Sequence, residues 1–161
     1  MQNTATADAR QLVVFSLGRE EYGVSITRVQ EIIRYTRPRP LPDAPAFIEG
    51  VINLRGRVIP VVELSTRLGA PAERPEDQKI VIADLERGTV GMTVDGVREV
   101  LTISRDDIEP APPGFAGRDY VEGVGKVQDR LLMVLDVERL FANDGVHDVK
   151  VDDDAETLAA A

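Results

Sequence analysis

Apolar and polar positions follow one pattern twice along this chain. Gly23, Val24, Ile26, Val29, Glu31, Ile32 and Ile33 recur 68 positions later as Gly91, Met92, Val94, Val97, Glu99, Val100 and Leu101. A second block, Phe47-Ile48-Glu49-Gly50-Val51 followed by Arg57, Val61, Val62 and Glu63, returns 73 positions on as Tyr120-Val121-Glu122-Gly123-Val124 followed by Arg130, Val134, Leu135 and Asp136. Two blocks in the same order at nearly the same offset mark a duplicated unit. The chain therefore reads as two small related modules packed together, and the groove between them is the first place to look for function.

The same pattern predicts the elements. Gln11–Leu17 and Tyr22–Ile26 form a hairpin across Gly18-Arg19-Glu20-Glu21. Thr27 offers a cap, and Val29, Ile32 and Ile33 stand at the i, i+3, i+4 spacing of a helical face, which predicts one or two turns of helix. Four prolines between Arg34 and Pro45 then impose an extended connector carrying Arg34, Arg37 and Arg39. Val51–Leu54 and Arg57–Val62 flank an Arg55-Gly56 turn, and Glu63–Leu68 reads as a short helix stopped by Gly69. The second copy repeats the plan. Lys79–Leu85 pairs with Thr89–Val94, a short helical or irregular turn falls at Gly96–Val100, a Pro/Gly-rich loop covers Glu109–Gly117, Val121–Val127 pairs with Leu131–Leu135, and a helix spans Val137–Phe141. Each half thus has about four strands and a short helix, a small-barrel signature within an all-β class. A lone barrel of about 60 residues buries only ~60% of its unfolded surface, so two sharing an apolar seam are the physically reasonable form. The boundaries read from the chain are a disordered start at 1–10, a first barrel at about 11–75, a second at about 76–143 with strand exchange between them open, and an acidic disordered tail at 144–161.

Charge changes this picture at one end. The net charge is −9, and beyond Phe141 six carboxylates face Lys150 alone, so five of the nine net negative charges sit in the tail. An acidic chain with few aromatics is a poor nucleic-acid binder, because that affinity rests on Lys and Arg neutralising phosphates. No apolar run approaches the ~20 residues needed to span a bilayer, and Met1–Arg10 lacks the basic start and apolar stretch of a secretory signal. With no cysteine, disulfide and thiolate chemistry are excluded. These observations point to a cytoplasmic protein by elimination.

Candidate chemistry is equally thin. His147 is the sole histidine and lies in the tail, so a histidine general base or a multi-histidine metal cage has no support. Neither Asp106-Asp107 nor Asp152–Asp154 has the alternating spacing of a helix–loop–helix calcium site. Gly123-Val124-Gly125-Lys126 imitates a phosphate loop, but Tyr120 stands where the first glycine belongs and Val127 brings no hydroxyl. No catalytic residue, cofactor site or metal site is therefore assigned. What remains is surface for contact. Ile32 and its counterpart Val100 are expected in the core, whereas Val29 and Val97, beside Arg28, Gln30 and Arg98, are expected to be partly exposed. An apolar groove rimmed by charge suits an amphipathic partner helix.

The residues now carry a resemblance. Phe47-Ile48-Glu49-Gly50-Val51-Ile52-Asn53-Leu54-Arg55-Gly56-Arg57-Val58-Ile59-Pro60-Val61-Val62-Glu63-Leu64, with Glu21-Tyr22-Gly23-Val24, Val29-Gln30-Glu31-Ile32 and Val94-Asp95-Gly96-Val97, resembles the CheW chemotaxis coupling family from about Leu12 to Phe141. The resemblance implies two intertwined five-stranded barrels of SH3-like or OB-like form. It also implies a non-enzymatic adaptor that joins the cytoplasmic tips of methyl-accepting receptors to the histidine kinase CheA, recruited to membrane-associated arrays without inserting in the membrane. An adaptor of another chemosensory system, such as one driving twitching, is the alternative within the same fold. Carried over position by position, the motifs put receptor contacts at Val29, Glu31, Ile32, Arg55, Asp95, Val97 and Val100. The family's kinase contact falls at the Pro-Ala-Pro loop, where this chain has Glu109 in place of a basic residue and, after a one-residue insertion, Phe115.

Overall fold

In a computed structural model the chain is described over residues 9–71, 73–115, 117, 119–142 and 145–148. Eleven strands run in chain order: β1 (Ala9–Leu17), β2 (Glu20–Ser25), β3 (Val29–Arg34), β4 (Ile48–Leu54), β5 (Arg57–Glu63), β6 (Lys79–Leu85), β7 (Gly88–Val94), β8 (Gly96–Ser104), β9 (Ile108–Glu109), β10 (Val121–Val127) and β11 (Arg130–Leu135). Two short helices follow the last strand of each repeat, α1 (Leu64–Leu68) and α2 (Val137–Leu140). Gly69 ends α1 in the left-handed conformation, with its N–H on the Thr66 carbonyl.

The predicted helix at Thr27–Ile33 is instead a three-residue 3-10 turn, Ile26–Arg28, running into strand β3. The i, i+3, i+4 spacing misled because Ile32 and Ile33 are adjacent and satisfy either period. In the fold, half-buried Val29, Glu31 and Ile33 alternate with exposed Gln30, Ile32 and Arg34, the period of two of a β-branched strand. Thr27 does not cap a helix; its hydroxyl pairs with that of Ser25 at 2.9 Å. The matching turn expected at Gly96–Val100 is likewise strand, β8.

The sheets do not follow the halves of the sequence. One has the order β8-β1-β2-β11-β10-β9 and the other β3-β6-β7-β5-β4. In repeat terms, the six-stranded sheet takes the first hairpin of the first copy and β8–β11 of the second, and the five-stranded sheet takes the first hairpin of the second copy and β3–β5 of the first. A single residue, Asp95, separates β7 from β8. Since even the tightest common hairpin needs a two-residue loop, β8 cannot fold back on β7 and runs on into the other sheet. The joins are parallel and equivalent, Val134 opposite Gly23 in one sheet and Val61 opposite Gly91 in the other.

Three apolar clusters follow from this exchange. Leu12, Val14, Leu132 and Val134, with Ile103, fill the six-stranded barrel. Their repeat counterparts Ile80, Ile82, Ile59 and Val61, with Ile52, fill the five-stranded one. The third cluster, nineteen buried residues drawn from both sheets and both helices, is the seam. At ~1.5–3 kcal/mol per fully buried large apolar side chain, the seam outweighs both interiors together, so the barrels form one cooperative body. Two boundaries move accordingly. β1 begins at Ala9, inside the stretch read as a disordered start. Beyond 143, Val146 is 1% exposed within the seam and His147 belongs to a 3-10 turn, so the folded body extends past the expected start of the tail. The expected disorder of residues 1–8 and 149–161 lies outside the described residues.

Candidate partner-docking site

Cross-strand rows explain which repeated apolar residues reach the surface. In one sheet Val100 stands opposite Val13, Val13 opposite Val24, and Val24 opposite Leu135. In the other, Ile32, Val81, Met92 and Val62 stand in the same relation. The inner members Val24, Leu135, Val81, Met92 and Val62 belong to the seam. Ile32 and Val100, on edge strands, are the open ends of those rows and are 39% and 54% exposed. The expectation of a core position for Ile32 and Val100 is therefore overturned, while Val29 and Val97, expected to be partly exposed, are half-buried against the seam. The reason is a bulge. Register shifts between Val29 and Glu31 on one side and between Val14 and Phe15 on the other leave Gln30 and Arg98 unpaired and turn both valines inward.

The structure brings Glu31 and Arg55 together. Arg55 occupies the hairpin turn with φ of 51° and, with Gly56 at 85°, closes a loop whose Gly56 N–H is held by the Asn53 side chain at 2.8 Å. From there both terminal guanidinium nitrogens reach the Glu31 carboxylate, Nη1 at 3.2 Å from Oε1 and Nη2 on Oε2. This fork raises the Arg55 pKa through the hydrogen bond and the Glu31 charge. The pair is exposed, so its value lies in orienting a cation beside the Ile32 edge rather than in stability.

Other candidates point elsewhere. Asp95 is 7% exposed, and its carboxylate accepts the Gly18 N–H at 2.6 Å and the Glu73 N–H at 3.2 Å, which ties the β1–β2 turn to the link between the repeats. Glu109 pairs with Lys126 at 2.7 Å on the outer edge of the six-stranded barrel, and Phe115 packs against the seam. Glu109 and Phe115 are thus on a different part of the body from Ile32 and Arg55.

Sequence reasoning passed over three groups. Glu99, the counterpart of Glu31, is held by Arg130 at 2.8 Å, while Arg130 and Arg98 both approach Glu21, at 3.3 and 3.5 Å. The repeat offset alone was the available signal. Arg67 lies over both Phe47 and Tyr120, themselves repeat equivalents, at 5.8 and 5.3 Å from the ring centres, and donates to the Leu140 carbonyl at 2.7 Å. Leu140 is the residue that stands at the position of Arg67 in the other copy, so one cation bolts the two halves together where symmetry is broken. Tyr35 donates to Glu49 at 2.8 Å, and burial followed by that hydrogen bond pushes its pKa up to about 12. Among the described residues no cluster of carboxylates and histidine is suited to a metal, and no helix is long and apolar enough to cross a membrane.

The exposed apolar row ends Ile32 and Val100 stand at equivalent places on the two barrels. The CheW-like domain model matches residues 11–145. The chain belongs to the CheW-like family. It is 37% identical to the chemotaxis protein CheW of Rhizobium meliloti (strain 1021) over 86% of this chain and 92% of that protein. To the chemotaxis protein CheW of Bacillus subtilis (strain 168) it is 36% identical over 81% of this chain and 86% of that one. The crystal structure of the scaffolding protein TtCheW from Thermoanaerobacter tengcongensis superposes with a TM-score of 0.78 at 37% identity, covering 82% of this chain and 87% of that chain. The CheW-like match ends at residue 145, beside the buried Val146.

Proposed function

We propose that this chain is a non-enzymatic adaptor that couples chemoreceptor cytoplasmic tips to the histidine kinase CheA. The observation that carries the reading is the CheW-like match over nearly the whole folded body, and the relatives named as chemotaxis and scaffolding proteins support it. The geometry supports one face for each partner. Ile32, Glu31 and Arg55 form an apolar and charged edge fit for a receptor helix, with Val29 packed behind them; Val100 offers the equivalent apolar end on the other barrel, with Val97 behind it. Asp95 serves by holding the turn that frames this surface. Glu109 and Phe115, on the other connector, are the kinase side. In this role the protein works in the cytoplasm and is recruited to membrane-associated arrays through its receptors.

The test is a pull-down of purified receptor cytoplasmic tips and of CheA by wild type, Ile32→Asp, Val29→Asp and Arg55→Ala. Wild type captures both; Ile32→Asp and Arg55→Ala lose receptor and keep CheA. Wild type that captured neither would end the coupling reading. Retention of receptor by Ile32→Asp would move the receptor face elsewhere.

A further inference from the structure

The proline connector after β3 carries a charge arrangement that its counterpart lacks. Arg34, Arg37 and Arg39 are all exposed, and among the described residues none of their guanidinium groups has an ion pair or hydrogen bond. In a chain with 28 carboxylates against 19 Lys and Arg, these three cations lie close together in the sequence and none has a carboxylate partner among the described residues. Arg34 also stands directly opposite Lys79 in the β3–β6 ladder. Like charges so placed destabilise a sheet, and Lys79 turns its ammonium to the Asp77 carbonyl at 3.0 Å.

The connector is rigid where it carries these groups. Arg39 exchanges both backbone hydrogen bonds with Val51 on the outer edge of β4, at 2.8 and 2.9 Å. Pro38 is buried between exposed Arg37 and Arg39, so the two guanidinium groups share one side of an extended segment, about 7 Å apart at twice the strand rise. Each precedes a proline, which holds it extended. Gly50 is the seat for this arrangement, since a Cβ there would collide with the Arg39 carbonyl oxygen. On the other barrel Glu109 takes the place of Arg39 against Val124, flanked by Asp106 and Asp107. One edge is basic and its counterpart acidic.

We propose that Arg34, Arg37, Arg39 and Lys79 dock an acidic segment of a partner protein, an extended stretch with carboxylates at alternate positions. Alternate side chains of such a segment share one side at the same ~7 Å spacing, and each guanidinium fork donates two hydrogen bonds to a carboxylate. A narrow segment is favoured over a lipid surface or a duplex, because a broad polyanion would also meet Asp43, on the same connector, and Asp77, beside Lys79, within a Debye length. The proposal stands apart from which receptor or kinase the adaptor serves.

The test is an amide-shift titration of the isotope-labelled full chain with the peptide acetyl-Glu-Ser-Glu-Ser-Glu-amide, with the glutamine analogue as control. Saturable shifts confined to residues 34–40, 50–52 and 79 are expected, weakening with salt, and the double variant Arg37→Ala/Arg39→Ala weakens binding by at least about fivefold. Both side chains are exposed and unpaired, so the variant keeps the wild-type spectrum elsewhere. Absence of saturable shifts, unchanged affinity in the double variant, or equal binding of the glutamine peptide would overturn the proposal. So would phosphatidylglycerol vesicles binding through these arginines while the peptide does not, which assigns the patch to lipid. Self-association that the double variant abolishes, with no peptide binding, assigns it to a second copy.

Discussion

In the five-stranded barrel the Glu49 carboxylate is capped on both oxygens, by the Thr93 hydroxyl at 2.5 Å and the Tyr35 hydroxyl at 2.8 Å. Its counterpart Glu122, in the six-stranded barrel, meets Arg10 alone among the described residues, at 2.6 Å, beside a concavity of about 1130 Å³ lined by Ser25, Thr27 and Arg105. The interiors differ in the same way. Ile52 in one barrel corresponds to Gly125 in the other, and a Cβ on Gly125 would stand 3.0 Å from Ile103, the counterpart of Tyr35. One barrel thus keeps a large core residue and sends a tyrosine outward to a carboxylate; the other brings the aliphatic residue inward and leaves its end open. Identical strand plans therefore tolerate unlike ends, because the shared rows at the seam hold the frame.

The largest test of that frame is at the glycines where connectors cross. Gly50→Ala sets a Cβ against backbone and is expected to cost about 4 kcal/mol or more. Gly123→Ala, where the Glu109 carbonyl oxygen would stand 2.5 Å away, should cost somewhat less, since only a two-residue strand must shift. Urea denaturation measures both, and a mild Gly50→Ala would show that the basic connector is not seated as described. Next come the barrel interiors: Leu132→Ala and Ile59→Ala occupy equivalent buried sites and should each lose about 3 kcal/mol. A single transition for both variants supports one body held by the seam, whereas two transitions would separate the barrels.

Arg67→Leu removes the bolt between the halves, with its two ring contacts and the bond to the Leu140 carbonyl. A loss of about 1–2 kcal/mol is expected, and thermal unfolding of this variant beside Arg67→Lys separates ring stacking from charge. The smallest effect concerns alkaline pH. Tyr35 titrates near 12 in the fold and near 10 unfolded, so the folded state holds its proton more tightly. Its contribution is complete below pH 10 and is lost as pH rises from 10 to 12. Because Tyr35 is only partly buried, the slope is shallow, and Tyr35→Phe should flatten it in denaturation curves taken across that window. The six-stranded barrel, with Ile103 at this place, has no equivalent titration.

Much of the frame was legible because hairpins are local. Arg55-Gly56, Gly69 after α1 and the alternation of Lys79–Leu85 each announce their element within a few residues. Arg55 was legible as a motif arginine, but its partner Glu31 was not, since 24 residues separate them and only the approach of the β4–β5 turn to β3 makes the pair. Asp95 reads in sequence as a surface motif and is turned inward by two backbone amides that no local pattern foretells. Val146 sits in an acidic stretch and is buried by a seam that the stretch itself does not encode.

The sequence by itself determined that there are two copies of one strand plan and that the connectors differ in charge. Tertiary structure alone decided which hairpin pairs with which sheet and hence which repeated apolar residue is exposed. The physical reason is degeneracy: two copies with the same alternation can pair within or between themselves at similar local energy. The one-residue link at Asp95, the bulges at Gln30 and Arg98, and the nineteen-residue seam select exchange, turn Val29 and Val97 toward the seam, and leave Ile32 and Val100 at the surface.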